Sequence, residues 1–194
     1  FTWLALVFLS GINLIIFFGL FGIFILLLSY LVLFVEKFNY IKIRISSFLD
    51  SSSNNNFQSE KASEAIIDGG FFGKGIGEGT LNSKIPEAHT DYIISVISEE
   101  FGIIIILLIM LFFIFFAYNI FKKIRDTNDN LFKMILIGLI SLVIMQAFVH
   151  VGVNLRVLPT TGMTLPYLSY GGSSIISISI ISGIILNLTK RRVY

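Results

Sequence analysis

The sequence predicts an all-α, polytopic membrane protein, and three observations carry that prediction. Hydrophobic residues make up 55% of the 194 positions and charged residues only 13%, about half the ~25% charge of an ordinary soluble domain. Several uninterrupted apolar runs reach the roughly 20 helical residues that a bilayer core requires. Basic residues cluster at 122–125 and near the C-terminus, a pattern of membrane-topology signals. The absence of cysteine excludes disulfides, thiolate metal sites and a cysteine nucleophile. A net charge of +2 is too small to argue for a nucleic-acid partner.

The elements follow in order. Residues 1–35 are almost wholly apolar; one continuous helix over them would run about 52 Å, too long for a ~30 Å hydrocarbon core. The turn chemistry of "SGIN" at 10–13 divides them into a partial helix over 1–11 and a full span over 14–35. Phe1 opens the chain inside that apolar run, with no basic n-region and no small-residue cleavage site. The chain is therefore expected to be the C-terminal part of a longer protein.

Residues 36–91 form the one extended polar region, expected as a large outer loop. It holds the low-complexity "SSSNNN" at 51–56, a short amphipathic stretch around 57–67, and "GGFFGKGIGEGT" at 69–80, where glycines point to tight bends or close backbone approach. Residues 92–194 are expected to supply three transmembrane helices. The first, over 92–121, would be about 45 Å long, so part of it must protrude. The apolar stretch 101–118 alone spans ~27 Å, which places Glu99 and Glu100 near the membrane surface. "KKIRDTND" (122–129) closes this helix, a second span covers 131–154, a polar-aromatic loop covers 155–172, and a last span covers 173–188.

Helix parity puts Lys122, Lys123 and Arg125 on the same side as Lys190, Arg191 and Arg192, and the positive-inside rule makes that side cytoplasmic. The polar regions 36–91 and 155–172 then both face outward, and with them Pro86, Pro159 and Pro166. In the last span, Ser173 and Ser177, then Ser179 and Gly183, recur at four-residue spacing. A helix–helix packing face is the expectation.

The candidate chemistry concentrates at the outer mouth of the 92–121 helix. Asp91 follows Thr90, a candidate N-cap, which would place Asp91 in a first helical turn whose dipole favours an ionised carboxylate. Such a group can be a general base, a cation ligand, or a charge complementing the dipole. His89, beside Glu87, Thr90 and Asp91, titrates near neutral pH when unperturbed, and a hydrogen-bonded loop residue is an equal reading. His150 near the outer end of a span is expected to pack. No histidine spacing suits a dedicated metal cage. "GKGIGEG" fails the phosphate-loop pattern: Lys74 precedes glycine, and Asp68 stands where the first glycine belongs. Lys74 remains a point charge for an anionic substrate. "YLSYGGSS" at 167–174 lacks a nucleophile elbow and reads as a discontinuous helix or close-packed turn.

Two stretches, "GGFFGKGIGEGTLNSKIPEAHTDYIISVISEEFG" (69–102) and "VNLRVLPTTGMTLPYLSYGGSS" (153–174), resemble the signature regions of the SEDS family of bacterial shape, elongation, division and sporulation proteins. "RISSFLD" at 44–50 is similar to the start of that family's large outer loop. The resemblance runs through essentially the whole chain and leans to the cell-division branch, because "PEAHTD" stands where the elongation branch more typically reads "PEKHTD". It implies a ten-helix fold with both ends cytoplasmic, of which this chain is the C-terminal half: the end of the sixth helix and all of the seventh to tenth, with a large extracytoplasmic loop.

The resemblance further implies a peptidoglycan glycosyltransferase that polymerises lipid II during septal wall synthesis, in the bacterial cytoplasmic (inner) membrane. Asp91 would be the general base. Lys74, Glu87, His89, Thr90, Thr160, Thr161, Ser169 and Tyr170 are the substrate-binding candidates, while Glu99 and Glu100 orient helix or loop partners. Lys74, Lys84, Arg156 or a loosely bound divalent cation (Mg or Mn) would neutralise the leaving diphosphate; no tightly bound cofactor is expected. The implied partners are lipid II, a class B penicillin-binding protein transpeptidase and other divisome membrane proteins.

Three positions depart from the family pattern. Ser51 follows Asp50 where proline is frequent, Thr161 stands where many division members carry lysine, and His150 where asparagine is common. The missing helices leave the substrate cavity incomplete, so this chain alone is expected to be inactive. The alternatives are a lipid II transporter (flippase), which should place polar groups at the bilayer midplane, and a scaffold that recruits the transpeptidase. The polar residues fall mostly in the outer loops, which favours surface chemistry.

Overall fold

The computed structural model describes residues 2, 6–7, 13–49, 57–85 and 87–190. The "SSSNNN" tract, most of the 1–11 segment, Pro86, and Arg191 and Arg192 lie outside the described residues. Among the described residues the secondary structure is entirely helical. Helix α1, Leu14–Phe34, is capped by Asn13, whose side chain accepts from the Ile15 amide at 3.0 Å. The asparagine of "SGIN" thus starts a helix by satisfying one of its orphan donors. Extended backbone at Val35 ends α1, and a 3₁₀ turn at Glu36–Phe38 leads into α2, Asn39–Leu49.

The polar region is more helical than a loop. After α2 it contains α3 (Phe57–Gly69), α4 (Leu81–Lys84) and α5 (Ala88–Asp91). Helices α6 (Ile93–Phe101), α7 (Ile103–Arg125), α8 (Asn130–Asn154) and α9 (Gly172–Thr189) complete the chain. Four helices are long and apolar enough to cross a bilayer: Ile15–Phe34, Ile103–Arg125, Asn130–Asn154 and Gly172–Thr189. The protein is a multi-pass membrane protein. Helix α1 is apolar all round and none of its span is buried within the described chain, as suits a helix solvated by lipid or by other membrane helices.

Helices α7, α8 and α9 pack around two linked apolar layers. One holds Ile106, Phe113, Val143, Ala147 and Ile178, and the other holds Ile120, Ile124, Leu136, Ile140 and Ile185. A third core lies at the end of the bundle, where Ala62 and Ala65 of α3 meet Leu81, Ile85, Ala88, Tyr92, Val96 and Val153. The small alanines let α3 lie close against α6.

One expectation is corrected. The single helix over 92–121 is broken at Gly102, so its protruding part is the separate helix α6. The cause is a backbone-on-backbone contact: Gly102 has φ of 83°, and a Cβ there would lie 2.1 Å from the Phe71 carbonyl oxygen. The Ile103 amide donates to the Gly70 carbonyl at 2.9 Å, locking the glycine loop into the break. The Ser173/Ser177 and Ser179/Gly183 stripe is exposed. Within this chain α9 packs through Ile178, Ile181 and Ile185, and the small-residue stripe is left open as a face for other membrane helices.

Candidate active site

The Asp91 joint is built from short helices. Thr90 does not cap the following helix: it lies inside α5, and its hydroxyl donates to the Glu87 carbonyl at 3.0 Å. Asp91 is the last residue of α5, and α6 starts two residues later without a side-chain cap. A buried amide holds this joint. Asn154, at the last turn of α8, donates from Nδ2 to the Asp91 carbonyl at 3.1 Å and to the His150 carbonyl at 2.8 Å. Its Oδ1 accepts from the Ser95 hydroxyl at 2.7 Å and the Ser95 amide at 3.3 Å. Every hydrogen-bonding position of a fully buried amide is thereby used.

The 155–172 segment closes over the same joint. Ser169 Oγ donates to the Thr90 carbonyl at 2.7 Å and accepts from the Leu165 amide at 2.8 Å. The Tyr170 amide donates to the His89 carbonyl at 3.1 Å. Gly162, with φ of 66°, brings backbone against the carboxylate, and a Cβ there would sit 3.4 Å from Asp91 Oδ2. Gln146 Nε2 donates to the Thr164 carbonyl at 2.9 Å, and the Thr164 and Ser174 hydroxyls are bonded at 2.7 Å. His150 is buried with Nδ1 2.7 Å from the Met163 carbonyl. A carbonyl only accepts, so that nitrogen carries the proton. His150 is packed in the interior as expected, but only half satisfied: its buried Nε2 has no hydrogen-bond partner among the described residues.

These contacts leave an open cleft of about 430 Å³ lined by Glu87, His89, Thr90, Asp91, Thr164, Tyr170 and Gly171. Burial pushes the Asp91 carboxyl above its ordinary value, with the Thr90 side chain opposing the shift. The result is a carboxylate more basic than one free in water, open on one side to an incoming molecule. Burial likewise raises the neighbouring Tyr92 hydroxyl to about 12.

Of the other sequence candidates, Glu87, His89, Thr90 and Tyr170 share this cleft with Asp91, and Ser169 holds its wall. Thr160 lines a different cavity, with its carbonyl accepting from Arg44 Nη1 at 3.1 Å. Thr161 is exposed beside it and does not line the Asp91 cleft. Lys74 is drawn elsewhere: its ammonium pairs with Glu99 at 3.0 Å and Asp68 at 3.3 Å. Lys84 donates to the Thr80 hydroxyl at 3.0 Å.

Glu99 is the centre of this second cluster. Only 1% exposed, it accepts from the Thr80 amide at 3.0 Å, the Thr80 hydroxyl at 3.1 Å, the Leu81 amide at 3.0 Å and Lys74. Burial pushes its carboxyl up, but these donors together outweigh burial and hold it below the ordinary value. It organises the glycine loop, the orienting role expected of it.

Sequence reasoning missed Asn154 and Arg44. Asn154 sits at the polar end of an apolar span and looks like a helix terminus. Arg44 reads as a charge at the edge of a loop. Among the described residues no three His, Asp or Glu side chains gather to hold a metal ion.

Geometry and fold together define a helical membrane protein with an acid-bearing cleft at one end of its bundle. A sequence model of the FtsW/RodA/SpoVE family, described as cell cycle proteins, matches residues 1–194. The chain belongs to this family. A protein of Caulobacter vibrioides named probable peptidoglycan glycosyltransferase FtsW is 37% identical over 155 residues, covering 80% of this chain and 40% of that protein. One of the same name from Legionella pneumophila is 32% identical over 194 residues, covering 96% of this chain and 48% of its own length. The fold also matches a solved structure with a TM-score of 0.73 and 25% identity, covering 95% of this chain and 51% of the other. That structure concerns the structural coordination of polymerization and crosslinking by a peptidoglycan synthase complex. This chain thus spans about two fifths to one half of the length of these relatives.

Proposed function

We propose that this chain carries the catalytic acid-base end of a peptidoglycan glycosyltransferase that polymerises lipid II in the division branch of its family. The observation that carries the reading is the Asp91 carboxylate, half-buried in an open cleft at the end of the α7–α9 bundle, with its basicity raised by burial. The names of its relatives support the reaction class.

In this reading Asp91 takes the proton from the 4-hydroxyl of the acceptor sugar. That oxygen forms a bond to the anomeric carbon of the donor as the bond from that carbon to the diphosphate breaks. The undecaprenyl diphosphate leaves with the electron pair. A positioned base contributes roughly 10²–10⁴-fold, and the fixed walls at Ser169, Tyr170 and Gly162 supply orientation. A divalent cation, Mg or Mn, would enter with the substrate's own diphosphate.

Lys122, Lys123 and Arg125 end α7, and Lys122 and Lys123 share a cleft with Thr189 at the end of α9, opposite the Asp91 end. By the positive-inside rule that end would be cytoplasmic, with the C-terminus, and Asp91 would face outward; the division reading puts the protein in the inner membrane at the septum. The matched synthase complex coordinates polymerization and crosslinking, which supports a crosslinking partner; in this reading that partner is a class B penicillin-binding transpeptidase, alongside other divisome membrane proteins.

The test is to reconstitute the full-length protein with its transpeptidase partner in vesicles carrying lipid II. Glycan strands are the expected product. Lipid II that crosses the bilayer without forming glycan would replace this reading with transport.

A further inference from the structure

A second cavity, of about 390 Å³, shares no lining residue with the Asp91 cleft. Tyr40, Arg44, Ser47, Ser59, Arg156 and Thr160 give it its polar character, and among the described residues no carboxylate lines it. Arg44 comes from α2 and fixes one wall through its bond to the Thr160 carbonyl. Arg156 comes from the segment after α8 and has a left-handed backbone, φ of 56°, a conformation that a non-glycine residue adopts only where its surroundings hold it. Its guanidinium lies 3.5 Å from Glu60, and both side chains keep about a third of their surface exposed. Among the described residues the cavity therefore carries two guanidinium groups, of which one, Arg156, is paired with a carboxylate.

The cavity is tied to the acid cleft. Thr160, held by Arg44, lies two residues from Gly162, whose backbone abuts Asp91. The Arg44 charge also acts on the hydroxyl of Tyr92, the residue after Asp91. At the same end of the molecule Lys74 and Lys84 are committed to Glu99, Asp68 and Thr80.

We infer that the Arg44–Arg156 cavity binds a diphosphate. Two planar guanidinium forks suit paired phosphate oxygens, which they bind bidentately, and the hydroxyls of the lining add neutral donors. The assignment of this diphosphate to the donor lipid rests on the polymerase reading. Shared chemistry makes inorganic pyrophosphate a fair probe of the same site.

The experiment places the full-length protein in zwitterionic nanodiscs and titrates it with inorganic pyrophosphate and, separately, with a polyprenyl diphosphate. Wild type should bind at least one of them. Arg44→Gln and Arg156→Gln should each weaken that binding at least tenfold, while Arg125→Gln, at the other end of the bundle, should leave it unchanged. Glu60→Gln frees Arg156 and should tighten binding about threefold, a gain that a folding defect cannot mimic.

Competition between the two probes identifies one site for both sources. Binding of the lipid alone assigns the cavity to the headgroup, and binding of inorganic pyrophosphate alone makes it a free-anion site. The inference is overturned if neither probe binds, if the two arginine variants bind as wild type does, or if Glu60→Gln fails to tighten binding. Arginine-dependent binding without any glycan synthesis would instead overturn the polymerase reading and keep the site.

Discussion

The Asn154 side-chain amide donates to the backbone carbonyl of Asp91 at 3.1 Å, tying the last turn of α8 to the residue that carries the proposed chemistry. The same amide holds His150 and Ser95, so one buried side chain fixes α5, α6 and α8 relative to each other. Asn154→Leu leaves the Ser95 hydroxyl and the Asp91 carbonyl without this partner, each at about 1–3 kcal/mol if no water replaces it, while the His150 carbonyl keeps its helical bond. Lower thermal stability and at least a tenfold loss of kcat are expected, with a smaller change in KM. Thermal unfolding in detergent and steady-state polymerisation measure both.

Glu99 makes a separate prediction about acid. Its folded-state carboxyl sits below the ordinary value, so its stabilisation is present above the unfolded pKa and is lost as pH falls through the depressed one. Glu99→Gln should remove that acid dependence. Losing the charge that accepts from Thr80, Leu81 and Lys74 should also lower stability at neutral pH. Stability against pH for the two proteins, by chemical unfolding, gives the answer.

Gly102→Ala tests the helix break. The new methyl group would stand 2.1 Å from the Phe71 carbonyl at a φ of 83°, so the glycine loop must separate from α6. A loss of at least about 1–3 kcal/mol follows from the backbone conformation alone. Hydrogen exchange should accelerate at the Ile103 amide, which donates to Gly70.

For Asp91 the sign runs the other way. Burial raises its pKa, so protonation should disable the base at a pH above the ordinary aspartate value of 3.8. The acid limb of kcat/KM should have its midpoint above that value. The neutral carboxyl is the form that folding favours, and its contribution to stability is lost as pH rises through the raised pKa. Asp91→Asn should therefore be at least as stable as wild type at neutral pH.

Much of this was legible in the sequence, because length and apolarity alone define spans. The runs at 14–35, 131–154 and 173–188 appear as α1, α8 and α9 within a residue or so at each end. "PEAHTD" marked the cleft because carboxylate, imidazole and hydroxyl groups are rare in so apolar a chain. The break at Gly102 was hidden because its cause is a contact between Gly102 and Phe71, distant in sequence. Thr90 looked like a cap because Thr before Asp at the start of an apolar run is a local signal, whereas the Asn154 bond that shapes the joint is a long-range one. Lys74 looked free because its partner Glu99 lies on the far side of the glycine loop.

The most direct measurement is polymerisation of lipid II by the full-length protein with its transpeptidase partner, comparing wild type with Asp91→Asn. The account predicts loss of glycan product by about 10²-fold or more, with expression, stability and complex formation intact. Glycan synthesis by Asp91→Asn at the wild-type rate would contradict it and return the Asp91 cleft to a structural role.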